Sequence, residues 1–462
     1  MKKAFIWSFL GQYITIMMRA ASVIVVARVL SPNEIGVYAI AASIIALTHG
    51  IRNMGINQFL IRENELTKED YQAVLFISWS LCITLFIVIN TFAVSIAEFY
   101  DNASLENILR VLTVSILILP LGLISESMIV KEMRFKVLAL INGVNSVLNL
   151  TITVVLALND FGALSLAIAT LVGQISMVIL FKYYSNANIP VVPKPHNVRT
   201  IAPKIFKVGG SQLINLIGQQ GQPLYIGKSI NAEAVALYDK GFALINLMNE
   251  LIFSAIQKVM LPIFSLHTKE GTNHGQSYLQ VTNVILSIAW PALVFFYLYA
   301  EEIIVFLYGE QWRAASVLVP YFTVIACINN ITRFHNELMI GLKRDKEVFY
   351  SNLIYVGLNL AAIVYFSRYG LEKAVWSLQF VAIVRLIINS YNISYKAKIE
   401  KIEILKVIRN NILLTIFVSS PLLITFVIDN NLIKFLGVFI SAVFWLLMAF
   451  ICKHPIIKLV SK

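Results

Sequence analysis

Two arginines lie where cations are costly. Arg19 falls in the apolar run FIWSFLGQYITIMMRAASVIVVA and Arg52 in GVYAIAASIIALTHGIRNMGINQFLI. Both runs are long enough to cross a bilayer, which takes ~20 apolar residues. A charge at the centre of such a helix costs about 2.5–3.5 kcal/mol on insertion scales. A water-filled cavity or a bound anion would offset that cost. Arg19 is the more central of the two and has no acidic residue in its own run. Arg52 lies nearer one end, where a long side chain can partly snorkel to the interface.

Further polar groups interrupt other apolar runs. Glu126 and Glu250 are carboxylates at membrane depth, the kind of group that serves protonation or cation coupling because desolvation favours its neutral form. Asp239 and Lys240 are adjacent and read equally well as a solvated rim. Arg333 and Glu337, four residues apart, can pair on one helix face beside Asn329, Asn330 and His335, so Arg333 is either a cavity cation or self-compensated. Arg385 has no local acidic partner. Gln212, Asn215, Gln219 and Gln222 recur at three- and four-residue spacing as one amide stripe among glycines. Such a stripe suits sugar hydroxyls, and it suits interhelical hydrogen bonding as well. His49, Asn53, Asn57 and Gln58 continue the polar end of the Arg52 run.

The elements that must position these residues are transmembrane helices. The chain has 462 residues, 58% of them hydrophobic and only 13% charged, against ~25% charged in a soluble domain. Fourteen apolar runs are expected as helices, near 5–27, 36–61, 71–97, 107–130, 137–158, 162–184, 206–227, 234–261, 277–299, 314–341, 348–367, 371–395, 410–428 and 433–452, with 12 as the alternative count. The fold expected is all-α. The runs are too uniformly apolar for an outer-membrane barrel. The N-terminal stretch resembles a signal peptide, but its run continues past Arg19 without a convincing cleavage site and reads as a retained first helix. The net charge of +12 is spread in short clusters between runs, which argues against nucleic acid. Cys82, Cys327 and Cys452 lack metal-ligand spacing, and neither metal nor cofactor is expected.

Charge bias orients the chain. With the N-terminus inside, 24 of the 37 lysines and arginines fall in inward segments, 6 in outward ones and 7 within spans. That places both termini in the cytoplasm. Residues 26–40 (VARVLSPNEIGVYAI) and 226–240 (IGKSINAEAVALYDK) align at an offset of 200, pairing Arg28 with Lys228 and Tyr38 with Tyr238. A basic proline-rich stretch separates the halves. The expected organisation is a six-helix bundle at 1–184, a cytoplasmic linker at 185–205, a second six-helix bundle at 206–395, and 396–462 as an amphipathic segment with two extra helices. In 396–409 the apolar residues Ile399, Ile402, Leu405 and Ile408 recur every three positions among basic ones, as in an interfacial segment.

On RVLSPNEIGVYAIA, GIRNMGINQFLIRENELT, LYDKGFALINL, VMLPIFS, LYGEQW and IGLKRDKE, the chain resembles the polysaccharide transporters of the multidrug/oligosaccharidyl-lipid/polysaccharide exporter superfamily, which include O-antigen and capsule flippases. The resemblance implies pseudo-symmetric bundles around a central cavity in the bacterial inner membrane. It also implies a substrate, an undecaprenyl-pyrophosphate-linked oligosaccharide moved to the periplasmic leaflet by alternating access. Arg19 and Arg52 then match the helices whose arginines line the cavity in related lipid flippases, with Arg333 and Arg385 as further cations. A guanidinium fits a pyrophosphate because its planar fork bonds two oxygens and stays charged. The competing reading is a small-molecule or multidrug cation antiporter of the same superfamily. A polysaccharide-building enzyme is disfavoured, since no HExxH, P-loop or DxD motif occurs and no large aqueous loop is present.

The orientation is directly measurable. In a background lacking the native cysteines, Lys194→Cys should react with an impermeant maleimide only from the cytoplasmic side, and Lys373→Cys only from the opposite side. The reversed pattern would overturn the assignment.

Overall fold

The structure is a computed structural model that describes residues 2–53, 55–63, 66–185, 192–195, 197–270, 274–426, 440–441 and 443–445. Among them the chain is helical and contains no strand. Among the described residues, nine stretches are long and apolar enough to cross a membrane. The run 433–452 lies almost wholly outside the described residues.

Two compact units divide the chain at Leu237/Tyr238. The first holds α1 (Lys2–Val29), α2 (Pro32–Asn53), α3 (Ile56–Arg62), α4 (Lys68–Phe99), α5 (Ser104–Lys131), α6 (Phe135–Ala157), α7 (Ala163–Tyr184) and α8 (Val198–Ser229). The second begins within α9 (Ala232–Glu270) and continues through α10 (His274–Leu298), α11 (Ala300–Tyr308), a 3-10 stretch (Glu310–Leu318), α12 (Val319–Ile331), α13 (His335–Gly341), α14 (Asp345–Phe366), α15 (Leu371–Lys396) and α16 (Lys401–Phe426).

Several boundaries differ from the sequence reading, each for a local reason. The run 36–61 is not one helix. It breaks between α2 and α3, where Gly55 takes φ 84°, a left-handed conformation that glycine adopts without steric penalty. The run 314–341 breaks at Thr332–Phe334 between α12 and α13. Helix α8 starts at Val198, so the last residues of the expected linker are already helical. Ile201 and Ile205 of its first turns pack with Ile56, Phe59, Val74 and Leu123. By packing α8 lies with the first unit, while by the sequence repeat it opens the second half. The amphipathic segment runs on from Lys401 into the following span as α16, with Ile402 and Leu405 exposed and Ile399 and Ile404 buried.

The two halves repeat at the level of individual turns. Leu30 N donates to Val26 O at 3.0 Å and Ile230 N to Ile226 O at 2.9 Å, an offset of 200. Each turn is followed by a helix cap: Ser31 and Glu34 hydrogen-bond reciprocally, and Asn231 Oδ1 accepts from Ala234 N at 2.7 Å. Such caps satisfy the free N–H groups of a helix start. At the other end of the bundles, Arg134 N donates to Ile129 O at 3.0 Å, and Arg344 N to Met339 O at 2.8 Å. Met133 (φ 53°) and Lys343 (φ 59°) are the left-handed residues of these two matching helix stops. The offset has grown to 210. The increment falls where the second half carries α11 and the 3-10 stretch, whereas Tyr100–Ala103 suffices to join α4 to α5.

Close approach at the first turn depends on one glycine. A Cβ on Gly36 of α2 would overlap the backbone carbonyl of Ala232 at the start of α9. Backbone cannot yield as a side chain can. Gly36→Val should therefore destabilise the protein by about 1–3 kcal/mol through overpacking, read as a lowered unfolding midpoint in detergent. An unchanged midpoint would show that the approach is not needed.

Candidate functional site

The strongest candidate in the first unit is built around Arg52. This residue lies in the last turn of α2, three residues before Gly55, and is only 4% exposed. The break frees the chain from helical continuation, and α3 restarts with Ile56, Phe59 and Leu60 packed against α4 and α5. Arg52 Nη2 donates to Asn53 Oδ1. Its Nε finds no hydrogen-bond partner in the protein, and neither do His49 Nε2, Asn57 Oδ1 and Ser127 Oγ, all buried. These groups come from α2, α3 and α5. The guanidinium interacts electrostatically with Glu126 of α5. On the α8 side, a Cβ at Gly50 would overlap the Leu216 side chain, so α2 and α8 approach closely at this level.

The outcome is a cation enclosed by neutral donors and acceptors with one carboxylate in reach. A buried donor without a partner forfeits about 1–3 kcal/mol, a cost that a further acceptor would offset. Arg19 is placed otherwise. It lies on an exposed face of α1, a helix that packs on α6. The structure thus brings Glu126 to Arg52 and gives Arg19 a different setting.

In the second unit the polar groups gather at the α12–α13 break. Arg333 stands in the break, exposed, with its guanidinium carbon 4.9 Å from the Phe253 ring centroid. Arg385 of α15 is half-buried over the Tyr355 ring at 4.1 Å. Arginine stacks on aromatic faces in this way because the ring quadrupole attracts it. Arg333 interacts electrostatically with both Glu337 and Arg385. Since Thr332–Phe334 are not helical, Arg333 and Glu337 are not neighbours on one continuous helix, as the four-residue spacing suggested.

The remaining sequence candidates divide. Asn215 and Gln219 of α8 are exposed, Gln222 is half-buried and donates to Gly218 O of its own helix at 2.9 Å, and the Gln212 side chain lies outside the described residues. Glu250 is half-buried on α9.

Two arrangements went unread in the sequence. His335, 1% exposed, anchors a network across α13, α14 and α15. Asn392 Nδ2 lies 3.3 Å from His335 Nε2 and donates to Ser351 Oγ at 3.1 Å, while His335 Nδ1 lies 3.1 Å from Asn336 Oδ1. This pattern fits a neutral imidazole protonated at Nδ1. Nearby, Asn389 Nδ2 donates to Thr332 Oγ1 at 3.2 Å. Asn389 and Asn392 stand three residues apart on one face of α15, a spacing the sequence reading did not take up. The second arrangement concerns Lys240, which is buried with its ammonium between the rings of Tyr308 at 5.3 Å and Trp312 at 5.2 Å. It is not a solvated rim residue. Both rings belong to the LYGEQW stretch, whose residues the second half alone inserts.

A family model described as polysaccharide biosynthesis protein matches residues 25–317, more than half of the chain. The chain belongs to that family. Among its relatives is the teichuronic acid biosynthesis protein TuaB of Bacillus subtilis, 22% identical over 366 residues, covering 76% of this chain and 73% of the relative. The succinoglycan biosynthesis transport protein ExoT of Rhizobium meliloti is 22% identical over 375 residues, covering 80% and 75%. The lipopolysaccharide biosynthesis protein WzxC of Escherichia coli is 19% identical over 362 residues, covering 78% and 73%. Among solved structures, the lipid II flippase MurJ in its inward closed conformation superposes with a TM-score of 0.78 at 15% identity, covering 99% of this chain and all 100% of its own. An inward-facing multidrug resistance transporter of the MATE family gives 0.62 at 14% identity, covering 89% and 98%. At such identities the likeness is one of fold. Family and fold together mark a multi-pass membrane protein of the polysaccharide biosynthesis family.

The Lys240 clamp makes a testable statement about this family member. A desolvated cation–π contact is worth up to about 2 kcal/mol. Lys240→Ala should lower the unfolding midpoint accordingly, while Lys240→Arg, which keeps a cation between the rings, should lower it less. Equal midpoints for the Ala variant and the parent would remove the clamp from the account.

Proposed function

We propose that this protein is a flippase of the bacterial cytoplasmic membrane. It moves an undecaprenyl-pyrophosphate-linked oligosaccharide, the repeat unit of an O-antigen, capsule or exopolysaccharide, from the cytoplasmic to the periplasmic leaflet by alternating access. The observation that carries this reading is Arg52, a buried guanidinium with an unfilled Nε–H among neutral polar groups. A pyrophosphate leaving the headgroup layer needs such a partner, because an anion without one loses its hydration for nothing in return. Relatives named for teichuronic acid, succinoglycan and lipopolysaccharide biosynthesis support the glycan class.

In this reading Arg52 takes the pyrophosphate first. Arg19 of the same unit and Arg333 and Arg385 of the other supply further cations during passage. The aromatic faces of Phe253 and Tyr355 hold the last two guanidinium groups in place, with Glu337 in electrostatic reach of Arg333. Glu126 is the competing anion for Arg52. When ionised it opposes the phosphate, and when protonated it releases the guanidinium, which would couple substrate exchange to a proton. Glu250 is the second coupling candidate. The amides Gln212, Asn215, Gln219 and Gln222 are proposed to contact sugar hydroxyls, and the undecaprenyl chain stays in lipid. The cations argue against the alternative, a cation-exporting multidrug antiporter, because like charges in low dielectric repel.

Arg52→Ala should reduce translocation about 10- to 100-fold, the worth of one or two charge-assisted hydrogen bonds, with protein level unchanged. Carrier-linked oligosaccharide should accumulate on the cytoplasmic leaflet. Arg52→Lys should retain part of the activity, since an ammonium supplies charge without the planar fork. Full complementation by both Arg19→Ala and Arg52→Ala would sink the assignment. Drug efflux by the unmodified protein with no change in surface polysaccharide on deletion would favour the antiporter.

A further inference from the structure

A groove of about 390 Å³ lies between α2, α4 and the end of α8 in the first unit. Its wall is formed by Ile44, Phe92, Ile96, Phe99 and Leu224, with Ser95 contributing a small hydroxyl. Phe92 and Phe99 are each 55% exposed and flank its open side. At one end Tyr100 Oη donates to the Leu224 carbonyl at 3.2 Å, tying α4 to α8. Immediately beyond, Lys228 Nζ lies 3.2 Å from Asp101 Oδ2 and 4.9 Å from the Phe99 ring centroid. The Lys228 and Asp101 side chains are 39% and 85% exposed.

The depth of these groups follows from the helices. Phe92 and Phe99 occupy the last turns of the membrane span Lys68–Phe99, so the groove faces hydrocarbon. Asp101 and Lys228 follow the ends of that apolar stretch, at headgroup level, next to the aromatic residues that favour a membrane–water boundary. The groove itself carries no cation, so it is suited to a chain rather than to a phosphate. The charges at its mouth are of opposite sign and a hydrogen-bond distance apart.

We propose that this groove is a binding site for a glycerophospholipid with a primary ammonium in its headgroup. One hydrocarbon chain fills the groove, the phosphate pairs with Lys228 and the ammonium with Asp101. Binding exchanges one exposed ion pair for two and covers the apolar wall. A lipid with a phosphate but no ammonium meets the Asp101 carboxylate uncompensated. A lipid-linked pyrophosphate, with more negative charge still, is repelled more strongly there. The occupant is therefore a resident membrane lipid and not the transported one, and the site is independent of the transport reading.

The purified full chain, equilibrated with equal amounts of phosphatidylethanolamine and phosphatidylglycerol and then measured by native mass spectrometry, tests this. Phosphatidylethanolamine should be retained about fivefold over phosphatidylglycerol, as one exposed ion pair is worth up to ~1 kcal/mol. Lys228→Gln should weaken retention of both lipids at this site. Asp101→Asn should abolish the preference between them. Ser95→Phe, which fills the groove, should remove the retained lipid while leaving transport intact. Equal retention of the two lipids by the unmodified protein overturns the proposal, as does a preference that survives Asp101→Asn. If Ser95→Phe does not fold, the two mouth substitutions still decide.

Discussion

A guanidinium taken out of water is destabilising by several kcal/mol unless hydrogen bonds or counter-charge offset it, and the arginines in the apolar part of this chain are placed differently in this respect. Arg52 is enclosed, with Asn53 on one nitrogen and Glu126 in electrostatic reach. Arg333 and Arg385 lie over aromatic rings. Arg19 keeps an exposed face. An aromatic face stabilises a cation without cancelling its charge, whereas a carboxylate does cancel it. Arg333 has Glu337 in electrostatic reach as well as its ring, as Arg52 has Glu126.

The same constraint governs the backbone. Peptide groups at membrane depth need internal partners, so interruptions of a spanning helix are tolerated only where protein or a polar cavity surrounds them. Both breaks within spans, at Gly55 and at Thr332–Phe334, lie beside the buried polar groups. Arg52 precedes one, and Arg333 and His335 stand at the other. Helix ends freed from their continuation supply orientation for these side chains that an unbroken helix would not. The breaks occur in different places of the two halves, so the underlying repeat has been specialised separately in each.

The repeat itself is carried by turns more than by helices. Matching stops at Met133 and Lys343, and matching caps at Ser31 and Asn231, preserve where each helix begins and ends. Apolar helix interiors can drift, since one lipid-facing aliphatic residue serves as well as another. The inserted α11 and 3-10 stretch breaks the match and brings Tyr308 and Trp312 to Lys240. A position that holds a buried isoleucine in the first half, Ile40, therefore holds a boxed lysine in the second.

Much of this was legible without coordinates. Hydropathy determined an all-helical membrane chain, because hydrocarbon admits few other backbones. The positions of Arg19, Arg52, Arg333 and Arg385 marked the costly charges, because cost in a bilayer depends on depth along the chain. Glu126 was legible as a carboxylate but not as the partner of Arg52, since they are 74 positions apart in sequence and on different helices. The His335–Asn392–Ser351 network was illegible for the same reason. Spacing reveals which residues share a helix face, and only packing between helices decides which faces meet. Arg333 and Glu337 were the opposite case: they interact as the spacing suggested, but across a local helix break that the spacing did not reveal. Sequence thus determined what must be hidden from lipid. Tertiary structure decided what each hidden group is hidden against, because that depends on contacts between segments far apart in the chain.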